Sequence, residues 1–262
     1  MKRNPNLLTR RIKKMNSKSF LTLILIFAIA FIQGCATTPK KEYTAAELYS
    51  QGEASFNKSR YADAIERWKK VKEEFPDPEL AAKAEIGIAN SYFLNNDFIE
   101  AGAAYEDFRK MHPTHDLAQF ALYRQSICSF NLITGIDTDH TPTKNALTLF
   151  ENFVKQYPKS QYVAKVQEKI ADCRGKLAQY EIYVGRFYYR TDYYTAAIGR
   201  FEWALKNFPD YGKHDETLFY LGKSALEVRD NDKMSAAFTR LIREYPNSSY
   251  IGEARKLLAK SS

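Results

Sequence analysis

Five times along this chain an aromatic residue or histidine is followed directly by proline: Phe75-Pro76, His112-Pro113, Tyr157-Pro158, Phe208-Pro209 and Tyr245-Pro246. The prolines stand 37, 45, 51 and 37 residues apart. Proline has no amide hydrogen and its ring clashes with the preceding helical turn, so each dipeptide ends a helix. The segments between them read as helix, turn, helix, with almost no strand signal. A period of about 34–40 residues written in helix pairs commits a chain to an all-α solenoid, because no single unit can bury its own apolar face.

The first unit shows how the pairs close. Leu48, Gly52 and Ser55 share one face of a first helix, and Ala64, Trp68 and Val71 line a second that Pro76 ends. Small residues at Gly52 and Ala64 allow close approach, and Tyr61 and Trp68 fill the space around it. This pattern resembles the tetratricopeptide repeat. It recurs with Ala89, Tyr92, Ala101 and Tyr105, with Ser126, Ala146 and Phe150, with Gly185, Ala197 and Phe201, and with Gly222, Ala225 and Phe238. About five units are expected. The third carries an insertion from Thr134 to Pro142, and the fifth has Met234 where the pattern wants alanine, which marks it as an end cap. Gln161 to Arg190 has no proline and predicts one helix of about 45 Å, weakened at Gly175. It joins an N-terminal group of three repeats (44–160) to a C-terminal pair (161–262). On the first helices, Tyr49, Glu53, Phe56, Ile86, Asn90, Phe93 and Tyr123 point into the concave groove. Amides, hydroxyls and rings in that mixture suit an extended peptide.

The first 34 residues read differently. Seven Lys/Arg and no acidic residue precede thirteen apolar or near-apolar residues, Phe20 to Ile32, and then Gln33-Gly34-Cys35. A basic head, a short apolar middle and a small residue before the cut make a secretory signal. The run is too short for a spanning helix. Cysteine after the cut resembles the lipobox of bacterial lipoproteins, with Gln33 a departure from it. The resemblance implies a signal peptide over 1–34, S-diacylglycerol and N-acyl groups on Cys35, and a lipidated tether over 35–43. Ala36, where aspartate tends to retain a lipoprotein at the inner membrane, favours the periplasmic face of the outer membrane. The leader also supplies seven of the eight excess positive charges. A nucleic-acid partner therefore has no electrostatic footprint. What remains is uneven: residues 42–154 sum to −7 and residues 155–262 to +6, an asymmetry that points to different partners for the two halves. Cys128 and Cys173 fit a disulfide or two buried thiols equally well.

Three stretches resemble the BamD family, the repeat lipoproteins of the outer-membrane β-barrel assembly machine. They are the lipobox with Ala45-Ala46-Glu47-Leu48-Tyr49, then His112-Pro113-Thr114-His115 with Leu122-Tyr123, and Leu177 to Glu181 with Val184, Tyr188-Tyr189-Arg190 and Ala196 to Arg200. The resemblance covers residues 42–258, although the third-repeat insertion is shorter than the family's. It implies that the N-terminal repeats receive unfolded outer-membrane proteins. It also implies that the C-terminal repeats dock on periplasmic domains of the barrel-forming core subunit, through Arg200, Arg190 and Glu181, beside other accessory lipoproteins. Arg200 matches the family position that would pair with a partner carboxylate, a task suited to the planar guanidinium fork. A pilotin-like repeat lipoprotein that assists a secretin or pilus is the alternative reading. No glycine-rich nucleotide loop and no Ser-His-Asp set can be placed, so no catalytic residue, metal or dissociable cofactor is expected. His112 and His115 are assigned to closing the repeat turn.

Overall fold

A computed structural model of the protein describes residues 43–261. The lipobox, Cys35 and most of the tether lie outside the described residues. Among the described residues eleven helices follow one another: α1 (Ala45–Phe56), α2 (Tyr61–Glu74), α3 (Pro78–Leu94), α4 (Phe98–Met111), α5 (Ala118–Asn131), α6 (Thr141–Gln156), α7 (Val163–Arg190), α8 (Tyr194–Asn207), α9 (Asp215–Glu227), α10 (Asn231–Glu244) and α11 (Ile251–Ser261). Each packs on the next. Among the described residues there is no strand.

Repeat pairs form because an aromatic on each second helix is pressed onto a small residue of the first. A Cβ added at Gly185 would stand 2.5 Å from the Phe201 ring, and one at Gly222 2.4 Å from Phe238. Trp68 is held on two sides, by Gly52 of its own repeat and Gly87 of the next. Its indole N–H donates to the Tyr49 carbonyl at 3.2 Å, so the ring's polar edge is satisfied as well. In the second and third repeats Ala89 and Ser126 take the small position, fully buried.

The turn inside repeats one, two, four and five carries one non-glycine residue in the left-handed region: Ser59 (φ 57°), Asn96 (65°), Asp192 (62°) and Arg229 (61°). The third repeat replaces this turn with its insertion, which holds itself together. Thr134 and Thr138 share a hydroxyl hydrogen bond of 2.6 Å, and Asp139 accepts from the Thr141 amide at 2.9 Å.

Helix α7 organises the rest. It begins at Val163, two residues later than predicted, because Ser160 and Tyr162 form the turn that precedes it. At 28 residues it is about 42 Å long. Its N-terminal half packs Val166 and Cys173 against Phe150 and Phe153 of α6. Leu177 and Ala178 sit with Phe208 at the middle, and Ile182 joins Phe201 and Ala197 of α8. One helix thus serves two cores.

The fifth repeat is not the end cap. Met234 is buried in the same cluster as Ala254 of α11, which packs on α10. Helix α11 is the half-repeat whose outer face meets water. It escaped the sequence reading because no proline punctuates it.

Candidate functional site

The predicted N-terminal groove residues are placed as follows. Ile86 is 8% exposed, in a core with Ala101, Tyr105 and Phe108. That burial takes it out of any open groove: the second repeat needs an apolar side chain there to seal α3 on α4. Asn90 is half-buried and its amide oxygen accepts from the buried Tyr105 hydroxyl at 2.6 Å. Phe56 meets Tyr61 edge-on at 5.7 Å and leans on Trp68, as does Tyr49. The Arg124 guanidinium stands 4.3 Å over Phe93. Tyr123 stacks on Tyr162 at 4.4 Å, tying α5 to the turn before α7. Glu53 is exposed. The face therefore offers partly exposed rings and one carboxylate, and much of its polar capacity is already used.

The docking candidates form a tighter constellation. Arg200 donates to Glu181 at 2.9 Å, from α8 to α7. The carboxylate is buried while the guanidinium stays half-exposed. This hydrogen bond raises the arginine pKa further. Arg190 lies exposed at the end of α7 and does not join the pair.

Comparing repeats explains the pair. Glu181 holds the same repeat position as Glu85, whose carboxylate reaches Lys72 of the preceding repeat at 3.1 Å and His112 at 2.9 Å. Glu85 is thus neutralised across a repeat boundary, and Glu181 from within its own repeat. The neighbouring positions differ in the same sense. Ala84, Ile88 and Ser91 of α3, Ala121, Gln125 and Cys128 of α5, and Thr217, Leu221 and Ser224 of α9 are all buried. Their equivalents in α7 are Tyr180, Val184 and Phe187. Phe187 is 51% exposed and its neighbour Tyr183 41%.

The reason is length. Helix α6 has 16 residues against the 28 of α7. It stops at its N-cap His140, whose ring lies 3.9 Å from Tyr180. The last ten residues of α7 have no preceding second helix over them. Sequence reasoning singled out Glu181 and Arg200 on this repeat and did not single out the exposed Tyr183 and Phe187. For Phe187 the available signal was a large aromatic where other repeats place Ser91, Cys128 and Ser224; Tyr183 shares its position with Arg124 and Tyr220 and gave none.

His112 and His115 are both occupied within the chain. His112 meets Glu85, and His115 Nδ1 accepts from the Leu117 amide at 3.0 Å. Cys128 and Cys173 are free and buried in different clusters. Burial pushes their thiols up to about 12 and about 11, so neither is an active nucleophile.

Comparison with known proteins follows this geometry. A family model described as "YfiO: Outer membrane lipoprotein" matches residues 41–236. The outer membrane protein assembly factor BamD of Caulobacter vibrioides is 25% identical over 244 residues, 91% of this chain and 80% of that protein. BamD of Rickettsia prowazekii is 28% identical over 213 residues, 81% and 85% of the two chains. Among solved structures, the TPR2AB-domain:pHSP90 complex of yeast Sti1 is similar at 11% identity, with a TM-score of 0.46 and coverage of 83% and 86%.

Proposed function

The chain belongs to the YfiO family of outer membrane lipoproteins, and from that premise we propose that it is the lipid-anchored scaffold of a barrel-assembly machine. In this reading it receives unfolded outer-membrane proteins on its N-terminal repeats and docks on the periplasmic domains of the barrel-forming core subunit through the fourth repeat. The role is one of binding, without catalysis. One observation carries the docking half: the leading face of the fourth repeat is uncovered where repeats two, three and five are buried. Phe187 is half-exposed there and meets Tyr188 edge-on at 5.8 Å, and Tyr188 and Tyr180 lie within electrostatic reach of the half-exposed Arg200. Aromatic and arginine side chains on one patch are the usual anchors of protein interfaces. The net positive C-terminal half favours an acidic partner face.

The client half rests on the partly exposed rings of Tyr49, Phe56, Phe93 and Tyr123 along successive first helices. An extended chain can lay alternate apolar side chains against such a face. With the lipid on Cys35, the assembly would work at the periplasmic side of the outer membrane, next to other accessory lipoproteins.

Arg200→Glu alone is a poor test, because it would set a second carboxylate against the buried Glu181 and disturb the fold. The exchange Glu181→Arg with Arg200→Glu restores the internal pair and inverts the exposed charge. It and Phe187→Ser should each weaken binding to the purified core-subunit periplasmic domains by about tenfold or more, with unchanged circular dichroism. Equal affinity of both variants and wild type in a direct titration would reject this face as the dock.

A further inference from the structure

A cavity of about 820 Å³ opens between the N-terminal half of α7 and the turn that follows α8. It has the same origin as the uncovered aromatic face, at the other end of the same helix. Helix α8 has 14 residues and ends where Arg174 donates to the Asn207 carbonyl at 3.1 Å. Past that point α7 keeps α6 on one side but has no second helix of its own repeat on the other, and the space stays open. Phe130, Ile170, Phe208 and Tyr211 supply the apolar wall, and Gln167 and Gln179 supply amides.

Gly175 lines this cavity, in the interior of a 28-residue helix where glycine is unfavourable relative to alanine. The glycines at 52, 87, 185 and 222 are explained by packing, since a Cβ at any of them would fall 2.4–2.7 Å from an aromatic ring. At Gly175 the nearest atom to an added Cβ is the Tyr211 ring at 3.9 Å, an ordinary contact. Gly199 is equally unforced but lies on open surface. The fold gains nothing from Gly175; the cavity gains a bare backbone floor that a ligand can approach.

Charges of both signs line the cavity, Arg174 and Lys176 with Asp172 and Asp210, and Lys169 is next to the lining residue Ile170 in sequence. The Lys169 ammonium stands 4.3 Å over the Phe130 ring and the Arg174 guanidinium 5.8 Å from that of Phe208. Lys169 is shared with Asp172 at 3.2 Å, and Arg174 with Glu151 at 3.9 Å. Phe130 also closes the row of first-helix rings that begins at Tyr49, so a chain lying along that row arrives at this opening.

We propose that the cavity is a second polypeptide site, taking bulky apolar side chains of an extended, unfolded segment while the Gln167 and Gln179 amides meet its main chain. Its volume falls in the range of about 300–1,000 Å³ that holds a small ligand, enough for a few residues of peptide. The proposal rests on the client-receiving reading and places the far end of the client at the joint between the repeat groups.

The test uses the full lipidated protein in detergent micelles. The probe is a fluorescent peptide alternating phenylalanine or leucine with serine or threonine. Gly175→Leu should fill the floor and weaken the peptide by about tenfold. Gly175→Ala should weaken it less while leaving Tm unchanged or raised. A photo-crosslinking residue in place of Gln179 should capture the peptide, and a peptide with serine for its aromatics should compete poorly. If wild type binds and crosslinks at 179 fail while both Gly175 variants bind normally, the cavity is overturned and the N-terminal face stands. If wild type does not bind the peptide, the client reading falls and the cavity with it.

Discussion

Trp68 occupies a slot with glycine on both sides, and that arrangement recurs as single-residue fits of Phe201 on Gly185 and Phe238 on Gly222. Such fits leave no room for a methyl group, because overpacking a dense core costs about 1–3 kcal/mol. Gly185→Ala and Gly222→Ala should therefore each destabilise the fold by that amount in urea titration. Gly199→Ala, whose new Cβ meets nothing within 4 Å, should stabilise by about 0.5–1 kcal/mol through helix propensity. Equal effects at all three would refute the close-approach account. Asn90 carries a related lesson. Residue type marked it as a groove amide, yet it satisfies the Tyr105 hydroxyl. The sequence cannot say whether a polar atom has already found its partner.

Helix ends were legible wherever proline or a capping residue marks them. Asp77 accepts from the Glu79 and Leu80 amides ahead of α3, and Asp230 from Lys233 in α10. Helix α11 and the late start of α7 carry no such mark. His214, the N-cap of α9, shows how one element is tied to the previous repeat. Its Nε2 donates to the Phe208 carbonyl at 2.7 Å, which leaves Nδ1 to accept from the Thr217 hydroxyl at 3.2 Å. Burial holds its pKa below 6.5, outweighing the hydrogen bond to Phe208, with Arg240 opposing and Glu244 favouring protonation. The unfolded chain takes a proton that the folded one refuses. This contribution to stability is full above about pH 6.5 and falls as the pH drops below it, by at most about 1.4 kcal/mol per pH unit. Urea midpoints measured between about pH 7.5 and 5.5 should decline, and His214→Gln should reduce that decline. A slope unchanged by the substitution would assign the effect to other groups.

At the scale of the whole molecule, repeats stacked on nearest neighbours make a long surface with little interior, and what distinguishes this solenoid is the break in its stacking. A 28-residue helix flanked by shorter ones leaves one face bare at each end: aromatic at Phe187 at one, cavity-forming beside Gly175 at the other. If lipid on Cys35 is the anchor, Cys35→Ala should move the protein from the membrane to the soluble envelope fraction. Firm attachment after a salt wash would show a different anchor, since several acyl chains on one residue hold where a single chain is marginal.

The sequence by itself determined the repeat, its punctuation and the family, because all of these are local patterns of residue type and spacing. It also identified Glu181 and Arg200, though only the fold shows that they pair with each other. The tertiary structure alone decided that Ile86 is core, that α11 is the cap, and that Phe187 and Gly175 face open space. The first two depend on which helices pack together and the last two on where a neighbouring helix stops, both set by packing between segments apart in the chain.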